Sequence, residues 1–350
     1  AGRPRGARMA LPLEARLAGA LARCALCPRR CGADRTAARP GFCRAGPVAQ
    51  VYRYGAHHGE EPPLSGTRGS GTVFFSRCTL RCLYCQNYPW SQEGRGEPCP
   101  VDRLADVFRR LRADGCHNWT LVSPTPWLPM IAPALAQAVG DGARLPVVYN
   151  TSGYERLETL RALDGWADLY LADLRYAAPE TAARGSQAPD YVACARAALE
   201  EMARQAGALE VDADGVARRG LIVRVLILPG AADEACASLE WVAAVLGRET
   251  AVSVMAQYTP AWRARGQRTP WGRGITRAIC ARLIAELFDA QGMQKVVICC
   301  NDDNLASIAV AQKLGFRLEG NIRRHFVVNG KLRNMLYFGL LKEEWLEHGE

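Results

Sequence analysis

The chain has 350 residues, 49% of them hydrophobic and 23% charged, which excludes a disordered or fibrous protein and supplies apolar material for one large domain or two ordinary ones. A formal charge of +9 rests on 44 basic residues, but these are mostly scattered arginines without a run of five or six, so a nucleic-acid partner is not indicated. No run of about 18 uncharged apolar residues occurs, and the basic start (Arg3, Arg5, Arg8) leads into Glu14 and Arg16 instead of a signal-peptide core, so a soluble, cytoplasmic protein away from membranes is expected.

Residues 10 to 23 have apolar positions at helical spacing and are expected to form a helix. Cys24, Cys27, Cys31 and Cys43 come next, within a stretch whose Gly and Pro favour turns. Four thiols suffice for a tetrahedral zinc or a closed iron–sulfur cluster, and a site filled by protein on all sides points to a structural role. The chain has 14 cysteines; grouped at metal-like spacings in a chain of enzyme size, they fit reduced thiols better than a disulfide framework. From 51 to 71 turn residues abound, including Glu60, Glu61, Pro62 and Pro63, and a loop or hairpin is expected there; His57 and His58 receive no role.

The β-branched and aromatic run Gly71-Thr72-Val73-Phe74-Phe75-Ser76 reads as a buried strand that delivers the stretch Arg77 to Cys85. There Cys78, Cys82 and Cys85 have CxxxCxxC spacing. Three such thiols can hold zinc with a fourth ligand, or form half of a disulfide framework, or wrap one corner of a cubane so that its fourth iron has no protein ligand. Beyond 100, helical and strand patterns alternate at βα spacing: helices at 101–113, 128–139, 155–163, 191–206 and 233–245, strands at 118–122, 146–149, 169–172, 221–228 and 252–256. Such repetition implies a parallel sheet with helices outside, whose ligands sit at the carboxyl ends of the strands. Ser123, Thr125, Asn150, Ser152, Asp173, Arg224 and Gln257 stand at or near those ends and become candidate cofactor-binding residues.

Four segments, CALCPRRCGADR from Cys24, HGEEPPLSGTRGSGTVFFSRCTLRCLYCQNY from His58, LYLADLRY from Leu169 and LIVRVLILPG from Leu221, resemble the radical SAM proteins related to pyruvate formate-lyase activating enzyme. The resemblance implies an α/β fold with a partial (β/α)6 TIM-like barrel, and a [4Fe-4S] cluster on Cys78, Cys82 and Cys85. S-adenosyl-L-methionine would sit on the open iron, with Tyr84 against its adenine. It further implies reductive cleavage to a 5′-deoxyadenosyl radical, hydrogen abstraction from a substrate such as a protein glycine, and an electron donor such as flavodoxin or ferredoxin. The cysteines at 24, 27, 31 and 43 are expected to hold zinc or a second cluster.

After Pro260 the pattern changes. Gly272-Arg273-Gly274 precedes a helical stretch at 276–289, then a strand at 295–300, a helix capped by Asn301 to Asn304, an Asn329-Gly330 turn and a last strand at 336–341. Asn304-Leu305-Ala306-Ser307, Lys313-Leu314-Gly315-Phe316 and Glu319-Gly320 resemble the second half of a GCN5-related acetyltransferase (GNAT) domain. The resemblance implies acetyl-CoA as ligand, its pyrophosphate on the Gly272 and Gly274 turn, in an α+β module that lacks the family's first half and is therefore expected to be incomplete and inactive as a transferase. The expected organisation is a Cys-rich segment at 1–56, a radical SAM core at 57–265 and a half-GNAT module at 271–350. The alternative function is an N-acetyltransferase or CoA-binding protein whose cysteines bind structural metal.

Overall fold

Continuous runs rich in Val, Tyr, Phe and Thr suit strands covered on both faces, and Ser70–Phe75 and Val147–Thr151 are buried along their whole length. In the computed structural model, which describes residues 12–37, 39–140, 142–255, 258–272, 277–328 and 331–348, both belong to a nine-stranded sheet. Its strands are β1 (Ala49–His57), β2 (Ser70–Phe75), β3 (Glu97–Cys99), β4 (Trp119–Val122), β5 (Val147–Thr151), β6 (Leu169–Asp173), β7 (Glu210–Val211), β8 (Ala217–Leu226) and β9 (Ala251–Met255). The order across the sheet is β3-β1-β2-β4-β5-β6-β8-β7, with β9 also on β8. Strands β2, β4, β5, β6, β8 and β9 run parallel, while β1, β3 and β7 pair antiparallel.

The expected partial (β/α)6 TIM-like barrel is overturned, because this mixed α/β sheet stays open. The reason lies at its first parallel strand. The edge of β2 that a closing strand would need is taken by β1, paired from Val51 opposite Phe75 to His57 opposite Ser70. Among the described residues β9 pairs with β8 alone.

The long helices cover one face, since Val73, Leu121, Tyr149, Tyr170 and Leu221 are register neighbours on the same side of the sheet. Val101–Ala113 and Leu128–Gly140 place Phe108, Leu111 and Ile131 on Val73, Phe75, Trp119 and Leu121. The helix Tyr191–Ala206 packs with Tyr149, Tyr170, Leu221 and Val223. Alternation then sends Val148, Leu169, Leu171 and Ile222 to the opposite side against Leu64. The helices Val101–Ala113 and Tyr191–Ala206 have the spans their periodicity predicts.

One expectation fails locally and another is narrowed. Of the helix expected at 10–23, residues 10 and 11 lie outside the described residues, and the rest is helical only over Leu13–Arg16 before turning at Gly19, whose φ is +77°. Of the loop or hairpin expected at 51–71 the hairpin is found: β1 pairs antiparallel with β2, and the connection carries a short helix, Pro62–Ser65. Pairing with β2 outweighs the strand's Gly and His, a tertiary effect invisible in local composition.

The C-terminal part forms a three-stranded antiparallel sheet from β10 (Lys295–Asn301), β11 (Arg317–Val328) and β12 (Lys331–Leu341), ordered β10-β12-β11. Its core joins Ile284, Phe288, Cys300, Phe316 and Phe338, drawn from both the sheet and the helices. The expected cap is present in Asn304, whose side chain accepts a hydrogen bond from Ser307 N at 3.2 Å. The Asn329-Gly330 turn lies outside the described residues. No helix among the described residues is long and apolar enough to cross a membrane.

Candidate functional site

Because six neighbouring strands run parallel, their carboxyl ends share one edge of the sheet. The loop Arg77 to Cys85 leaves β2 at that edge, and its backbone is fixed to the far side of the site: Leu83 N donates to Gly185 O at 2.8 Å and Arg77 N to Trp90 O at 2.9 Å. Cys82 Sγ accepts from Ser186 Oγ at 2.8 Å and from Arg175 Nη1 at 2.9 Å, Cys85 Sγ lies 3.2 Å from Ser91 Oγ, and Leu80 N donates to Cys78 Sγ at 3.5 Å. Arg175 is held in turn by Asp173. Burial, reinforced by Cys82, pushes the Cys78 thiol up to about 12 and the Cys85 thiol up to about 11. The same neighbours have the opposite effect on the cation, since Asp173 and Cys82 hold Arg175 well above its usual range in spite of its burial.

Tyr84 is buried, its hydroxyl 2.6 Å from that of Tyr176, which is 2.6 Å from Ser186 Oγ. Its ring packs against Tyr258 and Trp271. A hydrogen-bonded chain therefore runs Tyr84, Tyr176, Ser186, Cys82, Arg175, Asp173. Of these only Cys82, Tyr84 and Asp173 were candidates from sequence. Arg175 had a legible signal, two residues past Asp173 after the same strand, whereas Ser186 sits on the helix Pro179–Ser186 and only packing brings it in.

The other candidates divide. Asp173 and Arg224 are register partners on β6 and β8. Arg224 is bound on both sides, with Nε and Nη2 on the two Glu61 oxygens at 2.6 Å and Nη2 also on Glu60. Burial pushes Glu60 up; Glu61, though buried, is held below its usual range by Arg224. Ser123 has the left-handed φ of +56°, and its N–H donates to Asn150 O at 3.0 Å. Asn150 is buried, and Ser152 offers its carbonyl to Tyr191 at 2.8 Å. Thr125 turns to the buried Glu155 Oε1 at 2.6 Å and does not join the cysteine loop's polar chain. Gln257 lies outside the described residues.

Cys24, Cys27, Cys31 and Cys43 fold over the same edge. Cys24 N donates to Ala33 O and Gly32 N to Cys24 O, each at 2.9 Å, so the segment doubles back on itself. All four thiols line a small hollow with Thr79 and Thr125. Burial raises Cys27 and Cys43, and their thiol neighbours add to it. Glu155, missed from sequence, lies beneath: burial pushes it up to about 7, and Oε2 has no hydrogen-bond partner.

Clustered thiols are the donor set that zinc and iron–sulfur clusters take, so both groups fit such a centre by their chemistry. Their side chains as placed do not converge: among the described residues no three His, Cys, Asp or Glu groups reach metal-binding geometry.

A different feature lies at the C-terminal end. A mainly apolar cavity of about 500 Å³ separates β9 from β10. Consecutive residues of both strands line it, Ala251 to Val254 and Lys295 to Cys299, so strand edges face it, with Ile284 and Leu287 behind. Gly272 is packed so closely that a Cβ would stand 1.9 Å from Gln267 O; Gly274 lies outside the described residues.

Three comparisons bear on these sites. An uncharacterised protein of Methanocaldococcus jannaschii is 28% identical over 255 residues, 69% of this chain and 68% of its own. A Bacillus subtilis protein named as a ribosomal N-acetyltransferase, YdaF, is 39% identical over 74 residues, and the match spans 21% of this chain and 40% of that one. A solved acetyltransferase structure shares 39% identity over 21% of this chain and 42% of its own, with a TM-score of 0.20, too low to bear on the fold. No radical SAM family matches the chain. The acetyltransferase (GNAT) domain family does match, over residues 230–317, which begins before the expected boundary near 271 and takes in β9, the cavity helix Arg277–Ala285 and β10.

Proposed function

We propose that the C-terminal part of the chain binds an acyl-CoA and transfers its acetyl group to an amine. The observation that carries this reading is the cavity of about 500 Å³ between β9 and β10, two strands of the segment that matches the acetyltransferase family. Among the described residues β9 pairs only with β8 and β10 only with β12, so each leaves an edge of N–H and C=O groups towards the cavity. An extended ligand with amides along an apolar chain, such as the arm of coenzyme A, adds to such edges as a strand would. In the transfer the amine nitrogen bonds to the thioester carbonyl carbon, the C–S bond breaks, and the amine's proton leaves with the coenzyme A thiol. The test is calorimetric titration with acetyl-CoA, followed by thiol release with ribosomal amines as first acceptors. Val252→Trp, which fills the cavity, is expected to remove binding; unchanged binding in that variant overturns the reading.

The cysteine loop supports a second, separate reading. Three thiols on one nine-residue loop stand at the carboxyl edge of parallel strands, beside the Arg175 and Asp173 pair. Cys78, Cys82 and Cys85 would hold a [4Fe-4S] cluster, which when loaded supplies the electron for cleavage of S-adenosylmethionine. Arg175 would orient the Cys82 sulfur, and the closed Tyr84–Tyr176–Ser186 chain would keep water from its rear face. A protein glycine as hydrogen donor, and flavodoxin or ferredoxin as reductant, belong to this reading. Anaerobic reconstitution separates it from the first: iron content and 5′-deoxyadenosine after dithionite are expected to fall together in Cys82→Ala. Cys27→Ala is expected to reduce metal content and stability near the N-terminus, since a structural metal contributes folding energy. Full iron loading without deoxyadenosine overturns the second reading and leaves the first untouched.

A further inference from the structure

Between the two cysteine groups lies a cavity of about 80 Å³ that touches one thiol of each, Cys43 and Cys78. Three arginines line it: Arg44 from the N-terminal segment, Arg81 from the cysteine loop and Arg263 from the stretch after β9. Three segments far apart in sequence thus bring positive charge to one hollow. Arg81 is fixed there, its Nη2 donating to Phe42 O at 2.9 Å and its guanidinium 4.3 Å from the Phe42 ring centre. Arg29 stacks on the same ring at 3.9 Å, so a fourth cation stands close by.

Like charges at this spacing repel, and elsewhere in the protein they are offset by carboxylates, as Arg224 is by Glu60 and Glu61. Here, among the described residues, no carboxylate forms an ion pair with Arg44, Arg81 or Arg263. The neutral polar groups on the wall are otherwise engaged: Ser91 Oγ with Cys85, and Gln92 Nε2 with Leu80 O at 3.0 Å. Among the described residues, the lining of the hollow therefore supplies no carboxylate as counter-charge.

We propose that this cavity binds a small tetrahedral oxyanion, phosphate or the phosphate group of a larger ligand. Its volume equals roughly two to three waters at about 30 Å³ each, the scale of one such group. Guanidinium heads arriving from separate segments suit oxygens that point in several directions better than a planar carboxylate, and each can make charge-assisted bonds to phosphate. The cavity borders both cysteine groups through Cys43 and Cys78, but the arginines that would bind the anion are not among the proposed metal ligands, so phosphate binding is testable without iron or coenzyme A.

The test is calorimetric titration of the full chain with inorganic phosphate and with phenyl phosphate, against chloride at equal ionic strength. Saturable binding of phosphate is expected, weakened at least tenfold in Arg44→Gln/Arg263→Gln and unchanged in Arg95→Gln, whose side chain is exposed and pairs with Glu93. Tighter binding of phenyl phosphate identifies a phosphorylated ligand, and equal binding identifies free phosphate. Because Arg44 and Arg263 are exposed, the double variant is expected to unfold at the wild-type midpoint. Equal phosphate binding in wild type and double variant overturns the proposal. So does binding of acidic polypeptide but not phosphate, which would make the arginines a docking surface.

Discussion

Arg224→Met tests the charge arrangement that fastens the β1–β2 connection to β8. The Arg224, Glu60 and Glu61 side chains are 16%, 5% and 12% exposed, and three hydrogen bonds join them. Methionine retains the stem but leaves two adjacent carboxylates buried without a cation. Breaking a buried pair in this way costs about 3–5 kcal/mol, and that is the loss expected in urea unfolding at pH 7.5. The sign with pH follows from linkage. In the wild type, Glu61 is held below its unfolded value and contributes stability that is lost as pH falls through its folded value. In the variant, burial and mutual repulsion raise both carboxylates, so the folded state gains a proton as pH falls. One extra proton over two pH units is worth about 2.7 kcal/mol at 1.36 per unit. At pH 5.5 the deficit should therefore shrink to between about 0.3 and 2.3 kcal/mol, the 3–5 kcal/mol range less that gain. Adding Glu60→Gln and Glu61→Gln should recover most of the loss at pH 7.5. A deficit below about 1 kcal/mol at pH 7.5, or one equal at both pH values, refutes the reasoning.

Further tests probe other parts of the site. Gly153→Ala places a Cβ 2.2 Å from Asp173 O at a φ of +77°, and a loss of at least about 2 kcal/mol in urea unfolding is expected from the left-handed backbone and the clash together. Glu155, pushed up to about 7 by burial, makes stability fall as pH rises from its unfolded value towards 7. Across about 2.5 units this amounts to roughly 3 kcal/mol, and Glu155→Gln should flatten that part of the profile. In chelator-treated protein at pH 8, iodoacetamide should label the exposed Cys31 well before Cys78 and Cys85, whose thiols are pushed up to about 12 and 11; mass mapping of the labelled peptides gives the order.

Spacing alone placed Cys78, Cys82 and Cys85 on one loop at the end of a strand, and periodicity gave the spans of Val101–Ala113 and Tyr191–Ala206, because both signals are carried by residues within one or two turns of each other. The carboxyl ends of β4, β5, β6 and β8 were legible for the same reason. The Asn304 cap was as well, since a cap acts within its own first turn. What lay beyond local sequence was every pairing across long separations: β1 on β2, Arg224 with Glu60 and Glu61, Cys82 with Ser186 and Arg175, Thr125 with Glu155. The first of these decided the architecture. Alternating strands and helices are compatible with a barrel and with an open sheet alike, and the difference rests on which strand occupies the outer edge of β2. Backbone hydrogen bonds are the same for any partner, so that choice is made by the whole packed structure and leaves no mark on the strand's own residues.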